Sequence, residues 1–176
     1  MNWHTYLIIP IISMLPACST VDVAQYAHEK PVLDMQQYFN GTIDAWGMFQ
    51  DRSGKVVKRF TVVIQCGWKD GVGTLDEDFS YSDGTRQKRV WTLKRGANGQ
   101  YVGTAADVVG SAIGNTAGNA LHWSYVLALP VGDKVYNVSF DDWMFLMDDK
   151  VMLNRAVMSK FGFRLGEVTL SFSKRT

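Results

Sequence analysis

The sequence predicts an all-β protein, an antiparallel up-and-down barrel of about eight to ten strands behind a short N-terminal helix. Three observations carry this expectation. Turn signals recur about every 10–15 residues, as Asp51-Arg52-Ser53-Gly54, Lys69-Asp70-Gly71, Ser82-Asp83-Gly84, Gly96-Ala97-Asn98-Gly99, Val131-Gly132-Asp133-Lys134 and Asp148-Asp149-Lys150. The runs between them are rich in Val, Ile, Thr, Phe, Tyr and Trp, which suit a pleated surface. Within the runs apolar and polar residues alternate, so one face of the sheet is buried and the other wet. A meander of that length closes on itself, because closure removes its exposed edges.

The elements follow in order. Residues 6–15 (YLIIPIISML) are nearly all apolar. They are too short for a bilayer span, which needs about 20 residues, and suit the core of a signal peptide. Residues 1–5 (MNWHT) carry no Lys or Arg, where a positive charge is usual. The run Leu15-Pro16-Ala17-Cys18 closes this segment and resembles the end of a bacterial lipoprotein leader, with Pro16 an irregular residue in that position. The resemblance implies a signal peptide over 1–17, a lipid on Cys18 and a lipidated tether over 18–30; the strand pattern then makes 31–176 a single barrel domain. An ordinary secretory leader cleaved elsewhere is the other reading. Ser19, in place of Asp, implies sorting to the outer membrane. Pro31 then opens a candidate helix, PVLDMQQYF, that stops at Asn40-Gly41.

Alternation assigns faces to the strands. In 55–66, Val56, Phe60, Val62, Ile64 and Cys66 share one side; in 121–129, Leu121, Trp123, Tyr125, Leu127 and Leu129 do. Val168, Leu170 and Phe172 alternate with Thr169, Ser171 and Ser173. Residues 103–120 break the pattern with many Gly and Ala; they read as two short strands at a barrel bend, with a flexible lid as the alternative.

Composition is that of a globular protein, with 47% hydrophobic residues, 20% charged residues and a formal net charge of +1. A balance so close to neutral argues against nucleic acid as a partner. Of the two cysteines, a lipidated Cys18 leaves Cys66 a lone thiol in an apolar strand, acting as a small hydrophobe. The lipoprotein resemblance implies a bacterial source, so the sequons at Asn40 and Asn137 are discounted. None of G-x-S-x-G, H-E-x-x-H, a P-loop or C-x-x-C is present, so no catalytic residue, cofactor or metal is indicated. His122 lies opposite the apolar side of its strand and reads as a surface residue. The acidic pairs within 76–78, 141–142 and 148–149 split across the two faces of their strands.

Charged residues that share a side with apolar ones matter more, because buried charge is costly unless paired. Arg89 and Arg95 alternate with Trp91 and Leu93; Asp142 shares parity with Tyr136, Val138, Phe140, Met144 and Leu146; Arg155 shares it with Val151 and Leu153. The ligand-binding candidates are Trp46, Arg89, Trp91, Trp123, Asp142 and Arg155, with Trp143 a further aromatic for the interior. An inward Asp142 would be either half of a structural ion pair or a polar anchor in a cavity.

The stretches QQYFNGTIDAWGMFQDRSG, GTLDEDFSYSDG, RVWTL, GNALHW, YVLALPV and DDWMFLMDD resemble the bacterial lipoprotein family called domain of unknown function 3833, over residues 30–174. That resemblance implies lipidation and no particular activity. More loosely, LDMQQYFNGTIDAW is similar to the opening of calycins, the lipocalin and fatty-acid-binding barrels. Lipocalins place Trp two residues after that Gly, where this chain has Ile43, so the floor-plug role does not carry over to Trp46. Arg164 corresponds loosely to their last-strand arginine.

The expectation is therefore a periplasm-facing barrel anchored to the outer membrane through Cys18. It would bind an apolar or amphipathic, lipid-like small molecule in its cavity. A filled barrel that contacts an envelope protein partner is the alternative. An enzyme would need titratable groups converging in a pocket, with Asp142, Arg155 and Asp44 as candidates.

Overall fold

In the computed structural model, which describes residues 21–175, ten strands close into an antiparallel up-and-down barrel. They are β1 (Gly41–Asp51), β2 (Val56–Lys69), β3 (Val72–Tyr81), β4 (Arg86–Arg95), β5 (Gln100–Thr104), β6 (Ala112–Ala117), β7 (Ala120–Val131), β8 (Lys134–Leu146), β9 (Val151–Lys160) and β10 (Phe163–Lys174). Neighbours in sequence are neighbours in space, and β1 closes onto β10 from Ile43↔Lys174 to Asp51↔Gly166. The leader, the Leu15-Pro16-Ala17-Cys18 run and Cys18 lie outside the described residues.

The predicted helix is a single turn, α1 (Met35–Tyr38). It starts at Asp34 rather than Pro31, because the Asp34 carboxylate accepts hydrogen bonds from the Gln36 and Gln37 amides at 2.8 and 3.1 Å. Upstream, part of the segment read as a tether lies on the barrel. Val23–Tyr26 form a 3₁₀ turn, and the Tyr26 ring packs against Phe145 and Trp143 on the outer wall at 5.2 and 5.8 Å.

The meander gives the barrel two unlike ends. Alpha turn α1 sits at the end that holds the β2–β3, β4–β5, β6–β7 and β8–β9 hairpins, and it forms a floor. Met35, Tyr38 and Phe39 are buried there. The Tyr38 hydroxyl donates to the Lys150 carbonyl at 3.0 Å, and the Trp68 indole N–H donates to the Phe39 carbonyl at 2.7 Å. The opposite end, ringed by the β1–β2, β3–β4, β7–β8 and β9–β10 hairpins, is a mouth.

The small-residue segment forms β5 and β6 joined by a strap over 105–111. Trp123 explains the glycines: a Cβ at Gly103 would lie 2.5 Å from its indole, and one at Gly114 would collide with it too. Two glycines on adjacent strands make the bed for one large ring. Because β5 is short, it pairs with β4 only over Thr92–Arg95. The strap instead follows β7, with Val109 N–H donating to Val126 O at 2.9 Å and Ala128 N–H to Asp107 O at 2.8 Å. The mouth half of β4, Arg86–Trp91, thus has β3 on one side and no ladder partner on the other among the described residues.

Candidate functional site

A barrel's diameter grows with its strand number, and eight strands already leave room for one small ligand. Here ten strands enclose a cavity of about 960 Å³ that runs from Met35 and Phe39 on the floor to Thr85, Arg86 and Gln87 at the mouth. That volume lies at the upper end of ordinary small-molecule sites. Its walls are largely apolar, with Ile64, Leu93, Trp91, Trp123, Phe140 and Phe172 among the lining residues. The Trp91 ring meets Trp123 and Tyr125 edge-on at 6.0 and 5.5 Å, and Tyr125 stacks on Phe140 at 4.9 Å.

Into this apolar wall the strands set one polar cluster. Arg89 on β4 holds Asp107 of the strap with a two-pronged contact, Nη2–Oδ2 at 2.8 Å and Nε–Oδ2 at 3.0 Å. The pair closes the seam that the short β5 leaves open. Arg89 also faces Glu77 on β3, its register partner, across a longer 3.8 Å gap from Nη1 to Oε2. That Glu77 oxygen is buried and has no hydrogen-bond partner. Across the cavity Asp142 on β8 is 5% exposed and accepts a hydrogen bond from the Asn154 side-chain amide on β9.

Burial dominates the titration of these groups. It lifts the Glu77 carboxyl to about 7, against the opposing pull of Arg89. Burial likewise lifts Asp142 to about 7, against the stabilising Asn154 amide. The Tyr125 hydroxyl is pushed well above its usual range by burial and then by the charge of Asp142. Arg89 loses to burial but is held cationic by Asp107 and Glu77. Two carboxyls poised near neutrality can each hold a proton, release it, or pair with a donor brought in by a ligand.

The structure brings Arg89, Trp91, Trp123 and Asp142 to the cavity wall. Contrary to expectation, the other candidates face away from it. Trp46 is 53% exposed, because β1 turns Ile43, Ala45 and Phe49 inward and so sends Trp46 out. Arg155 also points outward, pairing with Glu167 at 2.7 Å, because β9 presents Met152, Asn154, Ala156 and Met158 to the interior. Trp143 stacks on His122 outside the wall at 4.3 Å, and His122 meets Asp141 at 2.6 Å. Asp44 is held by Arg175, and Arg164 by Glu167, both on the exterior. Arg95 is exposed as well. Cys66 is a free thiol in β2, pushed up to about 12 by burial.

Glu77, Asp107, Tyr125 and Asn154 were not among the candidates. For Glu77 the signal was present: Leu75, Glu77, Phe79 and Tyr81 share one parity, and only Asp76 and Asp78 point outward toward Lys88. Tyr125 lay on the apolar side of its strand. Asp107 sits in a strap with no periodicity, and nothing local marks it.

Residues 12–174 match the family described as Protein of unknown function (DUF3833), and the chain belongs to that family. No curated protein matches the sequence. The fold is calycin-like. It is similar to the S-type phycobiliprotein lyase CPES from Guillardia theta (TM-score 0.57, 5% identity, 78% of this chain and 88% of that one). It is also similar to a protein of unknown function of the DUF3598 family from Nostoc punctiforme (TM-score 0.58, 10% identity, 84% of this chain and 51% of that one). At such identities the likeness is one of fold.

Proposed function

We propose that this DUF3833 protein is a lipid-anchored binding protein of the bacterial envelope that carries an apolar or amphipathic, lipid-like molecule inside its barrel. The observation that carries the reading is the cavity itself, about 960 Å³ of largely apolar interior with one polar cluster in its wall. A barrel filled by its own aromatic side chains would leave no such space. The mouth supports the same reading, since its β9–β10 hairpin carries Phe161, 88% exposed, and Phe163, 75% exposed, and Val135 and Leu165 line the cavity. Apolar residues so placed offer a path for a molecule that water excludes.

The anchor rests on the Leu15-Pro16-Ala17-Cys18 run and on Ser19, which together favour a lipid on Cys18 and sorting to the outer membrane, with the barrel in the periplasm. The exposed rim also suits the second reading, contact with an envelope protein.

Mass spectrometry of the protein purified gently from native membranes tests both parts of the proposal. The expected result is a diacylglyceryl adduct on Cys18 and a small molecule that leaves on denaturation. An unmodified Cys18 would remove the anchor, and an empty barrel would remove the cargo.

A further inference from the structure

The polar groups that line the cavity differ sharply in sign with depth. At the mouth, Lys58 and Arg86 are the lining cations, and Lys58 is held by Asp83 at 2.9 Å. Deeper, the lining residues include three acids, Glu77, Asp107 and Asp142, and one cation, Arg89. That cation has its fork turned to Asp107, so little of its charge is left for a guest. The acids are the groups left incomplete. Glu77 Oε2 is buried without a hydrogen-bond partner, and Asp142 relies on the single Asn154 amide. A carboxylate or phosphate placed here would meet acids and an already neutralised arginine. A donor placed here would pair the unpartnered Glu77 oxygen and add to the single bond of Asp142 in a site of low dielectric, where such contacts are strongest.

We propose that the bound molecule presents a cationic or amine-type head to the Glu77 and Asp142 carboxylates, with its apolar remainder against Trp91, Trp123 and Phe140. This rests on the reading of the barrel as a small-molecule container. It assigns the interior the opposite preference from that of a fatty-acid carrier, whose anionic head needs a free cation. An ammonium held against these acids would also favour their ionised forms, compensating the burial that now opposes ionisation.

The test uses the folded unit, residues 21–175, whose strands pair all round the barrel and whose core is complete within it. Trp91 and Trp123 line the cavity, so intrinsic fluorescence reports occupancy. The probes are dodecylamine, dodecanol and dodecanoate, each titrated at pH 8 below its micellar concentration. The expected result is that the amine binds at least about tenfold more tightly than either of the others. Asp142→Asn and Glu77→Gln should each weaken the amine by about tenfold and so narrow its advantage over the alcohol, with thermal melts confirming that both variants fold. Equal binding of the three, or a preference for the carboxylate, overturns the proposed head group while leaving the container intact. Failure of all three to bind overturns the container and this inference with it. The comparison within the wild-type protein needs no variant.

Discussion

At the floor, Met35, Tyr38 and Phe39 of α1 and its cap are buried, with Tyr38 donating to the Lys150 carbonyl of a hairpin and Trp68 of β2 donating to the Phe39 carbonyl. At the mouth, Phe161 and Phe163 stand in water, and Phe161 holds a positive φ of 51° at its hairpin tip. The same meander makes both ends, with hairpins of similar length, yet only one end is packed. The difference teaches where stability is held. The floor binds ten strands into one unit, while the mouth keeps apolar surface uncovered and a seam joined by one ion pair. An end released from packing duty is the end through which a guest can pass.

Substitutions at each end test this division. The largest effect is expected at the floor: Phe39→Ala should cost about 3–5 kcal/mol in a urea titration, and a loss below about 1 kcal/mol would erase the distinction between the ends. Next comes the seam. Arg89→Met strands the Asp107 carboxylate and should cost about 2–4 kcal/mol; adding Asp107→Asn should restore part of that, as read from the same titration.

The cavity wall should then show itself in pH. Glu77 and Asp142 titrate at about 7 in the folded state, above their ordinary values. Between the ordinary carboxylate range and about pH 7 the folded protein therefore keeps protons that the unfolded chain has released. Stability is full below that window and falls as pH rises through it, by up to about 1.4 kcal/mol per pH unit for each carboxyl. The groups facing this pair, Arg89, Asp107, Tyr125 and Asn154, and the exterior Asp141 next to Asp142 are unchanged in Asp142→Asn, whose thermal melts should show a flatter pH profile. The smallest effects belong to the rim. Phe163→Ser should change stability by no more than about 0.5 kcal/mol. Phe161→Asn should raise it by up to about 1 kcal/mol, because Asn tolerates the left-handed conformation better than Phe. A substantial loss in either would mean that the rim is packed after all.

Much of the barrel was legible because period-two alternation is a strong signal wherever one face is uniformly apolar. On β7 the run Leu121, Trp123, Tyr125 and Leu127 reads directly, and on β8 Asp142 shares its side with Val138, Phe140 and Met144. On β9 the signal fails. Its inward set includes Asn154 and small Ala156, while Val151, Leu153 and Val157 sit on the other side with Arg155. Hydropathy alone then points the strand the wrong way, and only the pairing of Asp142 with Ala156 settles it. The start of α1 was obscured by Pro31, which tolerates a first turn, although Asp34 is the stronger cap. The Arg89–Asp107 contact joins a strand to a strap without periodicity, and contacts of that kind leave no local trace in a chain.

A strand flank with unpaired amides and carbonyls is a template onto which another chain can add, and that is how sheet proteins polymerise. From Arg86 to Trp91 this barrel keeps such a flank. Arg86 and Lys88 lie along it, with Lys88 exposed and only loosely held by Asp78 at 3.3 Å. A second copy docking its own β4 there would set cations against cations. The gap that lets Asp107 reach the interior is thus guarded against self-association by charge, and Lys88→Val is the change that would lower the guard.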